Sequence, residues 1–388
     1  MPNTTQQQLI ERIHASGKQL VLSITGGGSG AVAALLEVPG ASASVLEAVV
    51  PYAAAALQQW LGGPVDHFCS ERTARTMAMR AFERARELVA AGGPVAAATE
   101  PPIATLLRGI GATASLASTR AKRGAHRIHV AWQSADTTSV VTCELRKGER
   151  TRAEEEQVAT QLVLQAVAEA CGIDESTVIV SALGPIRRRV QHAPTAWTEL
   201  LLGKRDAIDI GVQQEVKHHA ARVIFPGAFN PLHSGHVRMA EVATERYGGP
   251  VTFELSIANV DKPPLDFVEL ADRLEQLAGR HVLLTRAATF AEKARLVPGC
   301  VFIVGADTLQ RICEAHYYGK DLMQRDSAID EIAALNCRFL VFGRTAGDDF
   351  ITLKNLELPA PLRALCDYVS EDVFREDVSS TKLRVGES

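Results

Sequence analysis

The chain has 388 residues, 46% of them hydrophobic and 22% charged, with a formal net charge of -4. That length accommodates two domains, the composition is that of a globular protein, and the acidic balance argues against a dedicated nucleic-acid binder. The start, MPNTTQQQLIERIH, lacks the basic and apolar regions of a signal peptide, and no uncharged apolar run is long enough to span a bilayer. Seven scattered cysteines with no CxxC pair fit reduced, mostly buried thiols rather than a disulfide framework or a zinc site. The expectation is a cytoplasmic protein with no membrane or nucleic-acid partner.

In chain order, QLVLSIT (19–25) reads as a strand, GGGSG (26–30) as a tight turn and AVAALLE (31–37) as a helix. SVLEAVVPYAAAALQQW (44–60) reads as helix throughout, and AAGGPVAAATEPP (90–102) as a helix end and a loop. Residues 128–146 predict two antiparallel strands around Ser134, Ala135 and Asp136. Residues 151–171 predict an amphipathic helix with Glu154, Glu155 and Glu156 in its first turns, where the dipole favours negative charge. Residues 173–220 read as a connecting region with some helix, in which Arg187, Arg188 and Arg189 form a solvated face. His218 and His219 lack a third ligand at metal-binding spacing, so no metal site is expected there.

A second block opens with the strand RVIFPG (222–227) and a helix with Ser234 as N-cap and Gly248 as its stop. VTFELSIA, RHVLLTRA, CVFIVGA and CRFLVFGR are further strand-like runs separated by helical stretches. Strands alternating with helices predict an α/β fold with a mostly parallel sheet, a Rossmann-like arrangement. The domain expectation is 1–172, a connecting region 173–220, and 221–388.

The chemistry concentrates in GAFNPLHSGH (227–236), placed between a strand and a helix. A helix start offers free N–H groups and positive dipole potential to a phosphate. Gly227 and Gly235 allow close approach, and His233 and His236 can donate to charge that develops in a transition state. Phosphoryl-type transfer asks mainly for positioning and charge neutralisation. VSSTKLR (378–384) is a second phosphate clamp: hydroxyls from Ser379, Ser380 and Thr381, with Arg384 one helical turn beyond Ser380.

HSGH and SSTKLR resemble the HxGH and SSTxxR signatures of the nucleotidylyltransferase superfamily. Over about 222–384 the chain is most similar to the nicotinamide/nicotinate mononucleotide adenylyltransferases, with VGADTL (304–309) and FLVFGR (339–344) as further matches. The resemblance implies that His233, His236 and Arg384 are catalytic. It implies that Gly227, Ala228, Phe229, Asn230, Gly305, Asp307, Arg344, Ser379, Ser380 and Thr381 bind the nucleotide, and that Lys262 serves the acceptor. It also implies ATP as substrate and Mg²⁺ with it. The family's ring-stacking Trp is absent, and Tyr317 or Tyr318 stands in the comparable stretch, either as a stacking ring or as packing.

SITGGGSGAVAALLEVPGASA (23–43), Tyr52, GIGATAS (109–115) and the glutamate-rich helix resemble the C-terminal domain of CinA proteins and the nicotinamide mononucleotide deamidases, over about 5–172. The resemblance implies a substrate-contacting hydroxyl at Ser23, with Thr25 and Tyr52 nearby. The Glu and Lys of active members are replaced by Leu22 and Leu57, and a serine without an activating base is a poor nucleophile, so a degenerate deamidase is expected.

Gly28, Gly30 and Ala33 also satisfy a GxGxxA dinucleotide fingerprint, with Glu47 about 20 residues on. Glu47 falls in the stretch read as helix, which argues against that fingerprint. No Gly-Lys-Ser/Thr follows the turn, and Ser29 has Gly27 on one side but Ala31 where a nucleophile elbow needs its second glycine, so a Walker loop and an elbow are both excluded. The leading expectation is adenylyl transfer from ATP to a pyridine mononucleotide, forming an NAD-type dinucleotide and pyrophosphate. A transferase for another phosphorylated acceptor, using ATP or CTP, a Ser23-centred amidohydrolase and a nucleotide sensor are the alternatives. Small nucleotides are the expected partners, and both resemblances imply a homo-oligomer.

Overall fold

The computed structural model describes residues 4–92, 103–119, 124–173, 185–211, 222–260, 262–319, 321–346 and 349–376. The chain divides into two compact units: Met1–Leu202 with Asp261–Leu270, and Gly203–Val260 with Ala271–Ser388.

The first unit runs α1 (Thr4–Ala15), β1 (Gln19–Thr25), α2 (Gly30–Glu37), α3 (Ala41–Ser44), β2 (Val45–Val49), α4 (Ala54–Trp60), α5 (Glu71–Ala90), β3 (Leu107–Ser115), β4 (His126–Gln133), β5 (Thr137–Leu145), α6 (Arg152–Ala170), β6 (Ile186–His192) and α7 (Thr195–Leu202). Its sheet has the order β2-β1-β3-β4-β5-β6. β1 lies parallel to β2 and β3, and the remaining pairs are antiparallel. Strand alternation sends Leu20, Leu22 and Ile24 into a core shared with α1, α2 and α6. The other face meets α5 at van der Waals contact, and this requires Gly109 and Gly111. A Cβ at these positions would stand 2.1 Å from Ala78 O and 2.2 Å from Ala74 O. Thr151 and Glu154 form a capping box at the start of α6. Also within this unit, the buried Arg75 reaches Asp266 at 2.6 Å, and Phe267 N–H donates to Thr138 Oγ1 at 3.0 Å.

Residues 45–49 correct the helical reading of 44–60. They form β2, whose partner is β1, and only Ala54–Trp60 is helical. The alanines after Tyr52 carry the helix signal, whereas the strand state of Val45 to Val49 depends on a pairing partner some 20 residues away in sequence. The arginine run sits on β6, at the sheet's edge. There Arg187 pairs with Glu144 at 3.3 Å, Arg189 pairs with Glu71 at 3.5 Å, and Arg188 pairs with Glu169. Charged edges of this kind discourage strand addition.

The second unit runs β7 (Ala207–Ile210), β8 (Val223–Pro226), α8 (Ser234–Tyr247), β9 (Val251–Ser256), α9 (Phe267–Gln276, its residues to Leu270 counted with the first unit), β10 (Val282–Thr285), α10 (Phe290–Leu296), β11 (Val301–Gly305), α11 (Ala306–Ile312), α12 (Leu322–Ala334), β12 (Arg338–Phe342), β13 (Arg344–Ala346), β14 (Asp349–Ile351), α13 (Ala360–Ala364) and β15 (Cys366–Tyr368). The main sheet has the order β15-β12-β11-β8-β9-β10-β7, parallel except where β7 joins β10. This is the mostly parallel α/β arrangement expected from the repeating strand and helix signals. Its near-continuous apolar strands are explained by burial on both faces. Phe290, Phe302 and Phe339 cluster in the core with ring centroids 5.3–5.8 Å apart. A buried ion pair ties β9 to α10, with Lys293 Nζ donating to Glu254 Oε1 at 2.8 Å and Oε2 at 2.9 Å. Among the described residues, no helix is long and apolar enough to cross a membrane.

Candidate functional site

In the second unit, β8 has β9 on one side and β11 on the other. The connections leaving β8 and β11 therefore diverge between these two strands, which opens a crevice at their carboxyl ends. Both motifs that follow those strands lie there: Gly227 to His236 after β8, and Gly305 to Asp307 after β11.

His233 and His236 stack face to face, with ring centroids 3.7 Å apart and planes inclined by 26°. The N-cap of α8 is His233 rather than Ser234, which is the first helical residue. The reason lies in the ring of His236: the His233 backbone N–H donates to its Nδ1 at 3.3 Å. That bond occupies Nδ1 as an acceptor and leaves the proton of the neutral ring on Nε2. Below, His236 meets Phe229 edge-on at 5.2 Å and Phe225 at 5.9 Å. Burial, and then the neighbouring His233, push the His236 pKa down to about 3. His233 is lowered too, by burial and then by Arg344, against an opposing pull from Glu376. Its Nδ1 is buried without a hydrogen-bond partner. Both rings are therefore neutral donors near pH 7.

Asp307, Arg344 and Arg311 form a second cluster, in which Asp307 Oδ2 receives Arg344 and, at 3.3 Å, Arg311. A Cβ on Gly305 would stand 2.7 Å from Asp307 Oδ1, so the carboxylate packs over this glycine. Arg344 acts electrostatically on His233, so the two clusters are neighbours. Glu376, which sequence reasoning missed, joins them: its Cβ would lie 3.6 Å from a Cβ on Gly235. Its one sequence signal is its position three residues before Ser379.

The other expected site residues have the following surroundings. On the Cβ side of Gly227 the space is filled by the chain itself. The Gly227 N–H is bound to Glu254 O at 3.1 Å, and a Cβ would strike the Phe229 ring at 2.6 Å. Phe229 is 1% exposed at φ 45°, so its ring supports His236 and can offer a ligand only backbone. Ala228 is exposed and Asn230 half-buried on the same turn. Lys262 is counted with the first unit, and its side chain lies beside Gly63. Tyr318 lines a groove of about 470 Å³ between α10 and α12, with Thr289, Arg295, Gln324 and Glu331 among its other walls. No motif residue contributes to it. Tyr317 stands on the same short 3₁₀ turn. Ser379, Ser380, Thr381, Arg384, His218 and His219 lie outside the described residues. Among the described residues, no group of three His, Cys, Asp or Glu side chains is placed to hold a metal ion.

In the first unit, Ser23 is fully buried on β1, and its hydroxyl has no hydrogen-bond partner. Thr25 Oγ1 donates to Pro51 O at 3.0 Å, and Tyr52 is 68% exposed. The glycine turn is filled by the chain itself. Glu156 Oε1 accepts from Gly28 N–H at 2.8 Å and Ser29 N–H at 3.0 Å, and Arg152 donates to Gly26 O at 3.0 Å. The N–H groups that would hold a dinucleotide's phosphates already have a carboxylate. Glu47 lies on a strand, so the helical reading was no ground against the fingerprint. The ground is that Glu156 caps the turn, while Glu47 itself holds Arg84 through two hydrogen bonds of 2.8 and 3.3 Å.

The cytidylyltransferase-like family matches residues 224–386. No curated protein matches the chain. Among solved structures, the chain is similar to the competence/damage inducible protein CihA from Agrobacterium tumefaciens, at 19% identity and a TM-score of 0.34, over 44% of this chain and 98% of that one. A competence-damaged protein (CinA) superfamily protein from Escherichia coli is similar at 14% identity and a TM-score of 0.34, over 44% of this chain and 93% of that one. A CinA superfamily protein from Klebsiella pneumoniae is similar at 18% identity and a TM-score of 0.31, over 44% and 97%.

Proposed function

We propose that the second unit transfers a nucleotidyl group from a nucleoside triphosphate, ATP with Mg²⁺, to the phosphate of a mononucleotide, of the nicotinamide or nicotinate type. An acceptor phosphate oxygen attacks the α-phosphorus in line, and pyrophosphate leaves. The observation that carries this reading is the histidine pair at the β8–β11 crevice. A backbone N–H holds the His236 Nδ1, so its Nε2–H is a fixed neutral donor for charge growing on the transferred phosphate. Preorganised donors of this kind need no reorientation as the charge develops. Arg344 adds positive potential beside them, and the hydroxyls and Arg384 of the second motif hold the β and γ phosphates. The metal enters with the triphosphate as part of the substrate.

The first unit is read as a modified relative of a deamidase without turnover. Ser23 has no base, and its hydroxyl is sealed from solvent; nucleophilic catalysis needs both access and activation. This weighs against an amidohydrolase centred on Ser23.

Pyrophosphate release, measured with each NTP against a panel of mononucleotides, tests the reading. Release with ATP and a pyridine mononucleotide is expected, and His236→Ala should lower kcat by about 10²–10³-fold, the usual effect of losing one transition-state donor. Release with CTP and a different phosphorylated acceptor would move the assignment to another member of the class. Undiminished turnover in His236→Ala removes the role given to that ring. Ammonia release from nicotinamide mononucleotide, abolished by Ser23→Ala, would restore the amidase reading.

A further inference from the structure

Cys300 and Cys337 immediately precede β11 and β12, two neighbouring parallel strands. Arg338 N–H donates to Cys300 O at 3.0 Å, which sets the two cysteines side by side across the sheet. Adjacent strands lie about 4.8 Å apart, inside the roughly 4.4–6.8 Å Cα window of a disulfide. The two sulfurs are 3.7 Å apart, and both residues are fully buried. Reaching the bonded distance of about 2.05 Å therefore takes side-chain rotation and little backbone movement. The other two cysteines of this unit point elsewhere: Cys313 faces Leu309 O and Cys366 faces Leu362 O.

We propose that Cys300 and Cys337 are an oxidisable dithiol that a small peroxide converts to a disulfide joining β11 to β12. Cys300 donates its S–H to Cys337, which holds the Cys337 sulfur below the usual thiol range and Cys300 above it. Cys337 is accordingly the attacking sulfur. Its thiolate attacks one peroxide oxygen, the O–O bond breaks, and hydroxide leaves to be protonated to water. The Cys300 thiolate then attacks the resulting sulfenic sulfur, the S–O bond breaks, and a second hydroxide leaves and becomes water. Two thiols and one peroxide give one disulfide and two waters. Full burial bars bulky disulfide reagents, while a peroxide is little larger than water. The new bond fastens the amino ends of the two strands, and the candidate site lies at their carboxyl ends. The inference is independent of the transfer reaction.

The full-length protein, treated with hydrogen peroxide, then alkylated and digested without reduction, is mapped by mass spectrometry. The expected result is a Cys300–Cys337 linked peptide about 2 Da lighter than its two reduced parts, which disappears on treatment with dithiothreitol. In Cys300→Ala, Cys337 should accumulate as a sulfenic acid that dimedone captures, because the resolving thiol is gone. If that variant does not fold, the map of the native protein decides alone. Oxidation of Cys69, Cys313 or Cys366 with no Cys300–Cys337 link overturns the proposal, as does a link from either residue to a different cysteine.

Discussion

Glu156→Ala is the most direct probe of how the first unit's glycine turn is built. The Glu156 carboxylate accepts two backbone hydrogen bonds, from Gly28 at 2.8 Å and Ser29 at 3.0 Å, and a weaker one from Ser29 Oγ at 3.3 Å. A hydrogen bond to a charged group contributes about 1.5–3 kcal/mol. The Glu156 side chain is 28% exposed, so water replaces part of what is lost, and the net cost should be about 2 kcal/mol rather than the sum of two full bonds. In a unit of this size, about 1 kcal/mol moves the melting temperature by about 2–4 °C, so a drop of about 4–8 °C is expected. Glu156→Gln keeps a neutral acceptor and should recover about half. Hydrogen exchange at the Gly28 and Ser29 amides gives the local readout: both should exchange faster in Glu156→Ala, with β3–β5 amides much less affected. If the Gly28 amide exchanges at the wild-type rate in Glu156→Ala, the turn is held by something other than Glu156, and the case against a phosphate-binding turn fails with it.

The pH dependence of the first unit offers a second test. Burial, then Arg127 and Arg187, push the His129 pKa down to about 4, while its Nδ1 pairs with Thr142 Oγ1 at 2.8 Å. The unfolded chain therefore binds the proton first as pH falls. The neutral ring's contribution is intact above about pH 6.5 and is lost progressively towards pH 4, on the order of 3 kcal/mol in total. The stability difference between wild type and His129→Gln, followed by chemical denaturation from pH 7.5 to 4, should shrink across that window; a constant difference refutes the assignment. In the second unit, Lys293→Met strands the buried carboxylate of Glu254 and should cost about 3–5 kcal/mol. Adding Glu254→Leu should restore much of that loss, and urea denaturation of the three variants is the measurement, with an additive double variant as the contrary result.

How far the sequence reaches differs between the two units. In the second, the β8 strand, the α8 helix and the two histidines three residues apart are local features, legible because a strand-to-helix junction and its spacing lie within about fifteen residues. The hydrogen bond from His233 N–H to His236 Nδ1 is equally local, yet only the folded ring orientation reveals it and the proton position it imposes. Glu376 and Arg344 reach the histidines through long-range packing, and no periodicity announces that. In the first unit, β2 was misread as helix because its conformation depends on pairing with β1.

What the sequence by itself determined is the repeating strand and helix pattern of the second unit, the position of its phosphate-type motif and the absence of an activating base beside Ser23. Those properties belong to residue type and short spacing. The tertiary structure alone decided which segment of the chain lies against each glycine. The Phe229 ring stands where a Gly227 Cβ would be, and the Gly28 turn is capped by Glu156 from 128 residues away. A glycine in sequence records only that a Cβ is excluded. What excludes it, backbone, aromatic ring or substrate, is a matter of which distant segment arrives there.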